Sequence, residues 1–141
     1  VKTVKLIEDK LDNLVKLMLT AGVQPSELAD NVFVSEYKSI SFAKRDNSII
    51  GELIFEEVIG EISIDVLLRY YYDTSKRVVL IEEEINNKVK VLWDRDTKEI
   101  ELINEIVNLL KELDTKKVSE FISSLPSELS DKVQHQYKKA V

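Results

Sequence analysis

At 141 residues, with a net charge of −6 and no cysteine, the chain is long enough for one core and too acidic for a generic phosphate-backbone binder. It can form no disulfide, thiolate nucleophile or cysteine-based zinc site, and 44% hydrophobic against 33% charged residues is a globular rather than a disordered balance. No apolar run approaches the ~20 residues of a membrane span and no signal-peptide pattern opens the sequence, so the expectation is one cytoplasmic α+β domain over residues 1–141.

Residues 3–21 place Val4, Ile7, Leu11, Leu14, Val15 and Met18 at helical spacing, with Glu8, Asp9, Lys10, Asp12 and Lys16 between them. That pattern predicts an amphipathic helix ending in a left-handed cap at Gly22. Leu6, Leu17 and Leu19 widen the apolar stripe, so the helix is expected to lie between two layers or to meet another subunit. Pro25 and Ser26 open a short helical segment that runs to about Asn31.

Five strands follow, at about 36–45, 49–59, 61–73, 77–85 and 88–94. The third is the clearest: Ile62, Ile64, Val66, Leu68, Tyr70 and Tyr72 alternate with a mostly polar set, the period of a half-buried strand. A Gly60-Glu61 turn sets Ile59 against Ile62, Phe55 against Val66 and Leu53 against Leu68. A loop of Asp73–Lys76 sets Tyr70 against Val79 and Leu68 against Ile81. An Asn86-Asn87-Lys88 loop sets Ile85 against Val89 and Ile81 against Trp93. Asn47-Ser48 sets Phe42 against Leu53 and Ile40 against Phe55. Every hairpin then opposes apolar to apolar on one face, an agreement that a one-residue slip destroys. The expected fold is a five-stranded antiparallel meander over about 36–94. Its buried face runs from Ile40 and Phe42, through Leu53, Phe55 and the even-numbered positions of the third strand, to Val79, Ile81, Val89, Val91 and Trp93.

After Asp94, Asp96 with Glu99 forms a capping box for a helix over 97–113, and Asp114 or Thr115 caps a second over 115–124. Pro126 opens a third, 127–139, whose stripe of Leu129, Val133 and Tyr137 is thin. The N-terminal helix and about three C-terminal helices are expected to pack on the sheet.

The three glycines serve as cap, strand position and turn, so no phosphate-cradling loop exists. The single histidine, His135, has no orienting group beside it and reads as a surface residue. The expected register does assemble one constellation on the second sheet face: Glu56 opposite Asp65, and Asp65 opposite Glu84, with Lys90 relieving one end. Glu56, Asp65 and Glu84 are therefore the candidate ligands of a divalent cation, the only cofactor the sequence suggests, or an acidic docking patch, beside the plainer reading of a solvated face. The same face carries Ile50, Ile54, Leu67, Tyr71, Val78, Leu80 and Leu92, with Arg69 between Glu52 and Leu80. A face this mixed is expected to meet a partner, so Ile54, Leu67, Arg69, Tyr71, Leu80 and Leu92 form the candidate partner surface.

Residues 115–141 hold five lysines against three acids, a net of +2, which leaves −8 for residues 1–114. That contrast supports an alternative reading as a nucleic-acid-associated accessory protein that uses the C-terminal helices. Tyr70, Tyr71 and Tyr72 make a weak stacking platform for bases, because two of the three point to the packed face and only Tyr71 is left. Many Ile, Lys and Glu beside few Met and Gln resemble thermophile usage. The leading expectation is a non-catalytic protein-interaction or adaptor subunit, homo-oligomeric and bound to another protein. A carboxylate enzyme ranks last.

Overall fold

The computed structural model describes residues 2–141 and is α+β. A helix, α1 (Lys2–Leu19), precedes a short helix, α2 (Pro25–Ala29), and a 3-10 turn, Asp30–Phe33. Five strands follow: β1 (Tyr37–Arg45), β2 (Ser48–Ile59), β3 (Ile62–Tyr72), β4 (Val78–Ile85) and β5 (Lys88–Asp94). They form one antiparallel sheet in the order β1-β2-β3-β4-β5, the expected meander with β3 in the middle. Three helices end the chain, α3 (Arg95–Leu110), α4 (Thr115–Ser123) and α5 (Ser127–Ala140).

These elements gather into two compact units: Thr20–Asp96 holds the sheet with α2 and the 3-10 turn, and the residues up to Leu19 with Thr97–Val141 hold α1, α4, α5 and all but the first two residues of α3. The helical unit has its own core of Ile7, Leu14, Ile103, Ile106, Val107, Leu110, Val118, Ile122, Leu129 and Val133. The stripe of α5 is thin, yet Leu129 and Val133 are buried in that core. Asp114 is the cap of α4, its carboxylate accepting from the Lys117 N–H at 2.9 Å. The box expected at Asp96 is displaced: α3 starts at Arg95, directly after β5, and Glu99 instead meets Lys132 of α5 at 3.6 Å.

In the sheet unit the core is Leu28, Leu53, Tyr72 and Val78, with Val23, Tyr37, Ile40, Ile49, Leu68, Tyr70, Ile81 and Trp93 packed against it. Leu28 of α2 lies over Gly51, where a β-carbon would stand 2.8 Å from the Phe42 ring and 3.7 Å from Leu28. Gly51 is thus the close-approach position that lets α2 reach the sheet. Gly22 does similar work. The helix before it stops at Leu19, so Gly22 is not its cap; at φ +87° it passes against Val78, whose N–H donates to the Ala21 carbonyl at 2.8 Å.

The register differs from expectation in three of the four hairpins, and each difference lies in a turn. The Gly60-Glu61 hairpin is as expected, with Ile59 opposite Ile62, Phe55 opposite Val66 and Leu53 opposite Leu68. Between β1 and β2 the turn is Asp46-Asn47, with Asp46 at φ +54°, so Ile40 opposes Leu53 and Phe42 opposes Gly51. Between β3 and β4 the Asp73 carboxylate accepts from the Ser75 and Arg77 N–H groups and from Arg77 Nε, and Lys76 takes φ +66°. That tight loop, with an irregularity at Tyr71/Tyr72, sets Tyr70 opposite Ile81 and Leu68 opposite Glu83. The irregularity also brings Val78 to the core face, where it is buried, rather than to the second face. Between β4 and β5, Asn86 and Asn87 both adopt positive φ (51° and 65°), a two-residue turn rather than a three-residue loop. Ile85 then opposes Lys88, and Glu82 and Glu84 oppose Val91 and Val89. A bulge at Ile81/Glu82 restores the expected Ile81–Trp93 pair. The first half of β5 is therefore flipped: Val89 and Val91 leave the core face for the other one.

Burial on the core face is correspondingly shorter than the alternation implies. Leu53, Val66 and Tyr72 are buried, whereas Phe42 and Ile62 are exposed, because α2 and the 3-10 turn cover only one end of the sheet within this unit; Val89 and Val91, expected on this face, are exposed on the other. Tyr72 anchors that covered end, its hydroxyl donating to the Val23 carbonyl at 2.7 Å. Burial, then the neighbouring Tyr70, push the Tyr72 hydroxyl up to about 12. A raised folded value means the stabilisation is complete below the unfolded value near 10 and is lost as pH climbs through about 12. Alkaline unfolding followed by circular dichroism is expected to show that loss, and Tyr72→Phe to make it shallower. An unchanged alkaline slope in the variant would refute the assignment.

Candidate interaction surface

The second face of the sheet carries the residues singled out for partner contact. β2 and β3 place Ile50 opposite Tyr71, Glu52 opposite Arg69, Ile54 opposite Leu67 and Glu56 opposite Asp65. β4 adds Leu80 opposite Tyr71, Glu82 opposite Arg69 and Glu84 opposite Leu67. Arg69 is the centre: its guanidinium lies 3.1 Å from Glu84, 3.3 Å from Glu82 and 3.9 Å from Glu52. Tyr71 donates its hydroxyl to the same Glu82 oxygen at 2.6 Å. Burial works to lower the Arg69 pKa, but the hydrogen bond to Glu84 and its charge, with Glu82 and Glu52, outweigh it and leave the group raised. Tyr71 is raised by burial first and by its bond to Glu82 second.

The three candidate metal ligands are not brought together. Glu56 and Asp65 are opposite each other as expected, but Leu67, not Asp65, faces Glu84, because the β3–β4 pairing is shifted along the strands. Nor does Lys90 face Glu84; Val89 does, and Lys90 pairs across to Glu83. The row divides into two charge clusters, each with its own cation. Glu84 joins Arg69, while Lys38, at an irregularity in β1, reaches Asp65 at 2.7 Å and Glu56 at 3.8 Å. Ser63 also donates to Glu56. The hydrogen bond to Asp65 raises the Lys38 pKa above its ordinary value. No group of three or more acids or histidines among the described residues is placed to hold a metal ion.

Of the six partner-surface residues, Ile54, Leu67, Arg69, Tyr71 and Leu80 are half-buried, and Leu92, the extra residue of the β5 bulge, is 46% exposed. Alternation along β5 had assigned Val89 and Val91 to the core, so both were missed; they stand on this face at 54% and 55% exposure. Lys38 and Glu82 were missed as well. The Asn-Asn pair was the signal that would have placed β5, since two residues tolerant of positive φ invite a two-residue turn. A hollow of about 210 Å³ on this face is lined by Ser41, Ala43, Arg45, Ile50, Glu52, Arg69 and Tyr71. It is smaller than the roughly 300–1,000 Å³ of small-molecule sites.

The arm formed by β2 and β3 is a separate feature. β1 pairs with β2 only as far as Phe55, and β4 joins β3 only from Leu67. Beyond them, Glu57–Ile64, Val58–Ser63 and Ile59–Ile62 form a ribbon with no third strand on either side. At ~3.4 Å per residue those pairs extend about 10 Å past their neighbours.

Elsewhere, His135 is exposed on α5. Lys132, one of the five C-terminal lysines, is held between Glu99 and Glu128. Among the described residues no helix is long and apolar enough to cross a membrane. Comparison with protein-family models, with curated proteins and with solved structures found no match for this chain.

Proposed function

We propose that this chain is a non-catalytic protein-interaction subunit that pairs with a second copy of itself through the second face of its sheet. The observation that carries the reading is the set of apolar side chains on and beside that face: Val89, Val91 and Leu92 on β5 are about half exposed, and half-buried Leu80, Leu67 and Ile54 lie on the strands inward of them, with Glu82 and Glu84 facing the two valines. Within the sheet unit the covering helix and 3-10 turn lie on the opposite face. Exposed apolar side chains gathered on one sheet face are costly in water and mark contact sites. A symmetric pair is the commonest arrangement that hides such a set. In the cluster beside it Arg69 faces three carboxylates, Glu52, Glu82 and Glu84, so a partner that covers it must leave them at the solvated rim or offer them a cation.

Sedimentation velocity across a wide concentration range is the direct test. The parent chain is expected to sediment as a dimer, and Val91→Glu with Leu92→Glu to weaken association at least ~10-fold, the cost of one unfavourable contact of about 1.4 kcal/mol. A parent that stays monomeric at every concentration would sink the reading.

A further inference from the structure

We propose that the β2–β3 arm is a docking prong for a different protein, one presenting an apolar cleft rimmed by lysine or arginine. Val58, Ile59 and Ile62 at its end are 67%, 60% and 67% exposed, the most exposed large apolar group on the sheet. They do not share a face: Val58 stands with Ser63 on the second face, and Ile59 with Ile62 on the core face. A flat surface could cover only one side. A cleft that admits the tip covers both, and the tip is slender enough, since nothing lies within 4 Å of where a β-carbon on Gly60 would point.

Charge selects the occupant. Residues 56–65 contain Glu56, Glu57, Glu61 and Asp65 and no basic residue. Lys38 reaches Asp65 and Glu56 at the base of the arm, and Glu57 and Glu61 nearer the tip have no ion pair among the described residues. Two such arms laid together would set these carboxylates against their own copies, so a second copy of this chain is disfavoured as occupant. A basic rim satisfies Glu57 and Glu61 while the cleft takes the three apolar side chains. This surface is distinct from the one proposed for self-pairing, and either can fail without the other.

The test places a photo-crosslinking benzophenone residue at position 62 of the full chain and irradiates it in extract of the source cells. The expected result is one cross-linked protein whose attached segment lines an apolar cleft with lysine or arginine at its mouth. Capture should fall at least tenfold in the Glu57→Lys, Glu61→Lys double variant and with rising salt. These positions are exposed in a ribbon outside the core, so thermal melts should match the parent and exclude misfolding. Absence of capture, capture indifferent to charge reversal, or a cross-link to a second copy of this chain would each overturn the proposal. So would Val58→Ser with Ile59→Ser and Ile62→Ser converting a dimer to a monomer in sedimentation.

Discussion

Replacing Arg95 with alanine is expected to destabilise the sheet unit by about 3–5 kcal/mol, among the largest single-residue effects in the chain, because two charge-assisted hydrogen bonds are lost and the acceptor on buried Val78 is left without its donor. Arg95 is 2% exposed at the junction of β5 and α3. Its Nε donates to the Val78 carbonyl at 2.7 Å and its Nη2 to the Thr20 carbonyl at 2.8 Å, while the guanidinium lies 5.2 Å from the Trp93 ring centre. One side chain thus holds the segment entering the sheet, the start of β4 and the end of β5. Lysine can offer a charge but not two donors in a fixed fork, so Arg95→Lys should recover less than half of the loss. Urea unfolding monitored by Trp93 fluorescence gives both numbers. An alanine variant within about 1 kcal/mol of the parent would show that the carbonyls find water instead.

Leu110→Ala is expected to cost about 3–4 kcal/mol, since a leucine deleted from a packed core loses its transfer energy and leaves a cavity. Leu110 is fully buried at the end of α3, in the core shared with Leu14, Ile106 and Val133. Leu109, one position earlier, is only partly buried, so Leu109→Ala should cost less than half as much. Far-UV circular dichroism in urea measures both. Equal losses would mean that the helical core is looser than its burial implies.

The meander, the central place of β3 and the three C-terminal helices were legible because hydrophobic period is set by backbone geometry and survives in the bare sequence. The hairpin across Gly60-Glu61 was legible for a related reason: its glycine, at φ +65°, marks a conformation other residues resist. The remaining registers were not, because the residues that take positive φ there are Asp46, Lys76, Asn86 and Asn87, none of which demands it. A lysine at φ +66° is readable only from the Asp73 carboxylate that organises its loop. The candidate site followed the registers. Glu52 and Ile54 stood where expected because they depend on the legible hairpin, whereas Glu84 and Val91 depend on the illegible ones and were misplaced. The exposure of Ile62 was hidden for another reason: alternation says which face a side chain takes and nothing about how far along the strand that face is covered.

The division of the chain has a consequence for how it reaches this structure. Every strand pairs with its neighbour in sequence, so each hairpin closes over only a few residues. The helical core is interrupted: Leu14 in α1 can meet Leu110 in α3 only once the whole of Thr20–Asp96 has been looped out between them. Loop-closure entropy grows as the logarithm of length, about 0.6 kcal/mol for each doubling, so the interruption costs little at equilibrium. It bears on time instead. Long-range closure slows a folding step that local closure does not, and during synthesis α1 emerges well before the helices it packs against.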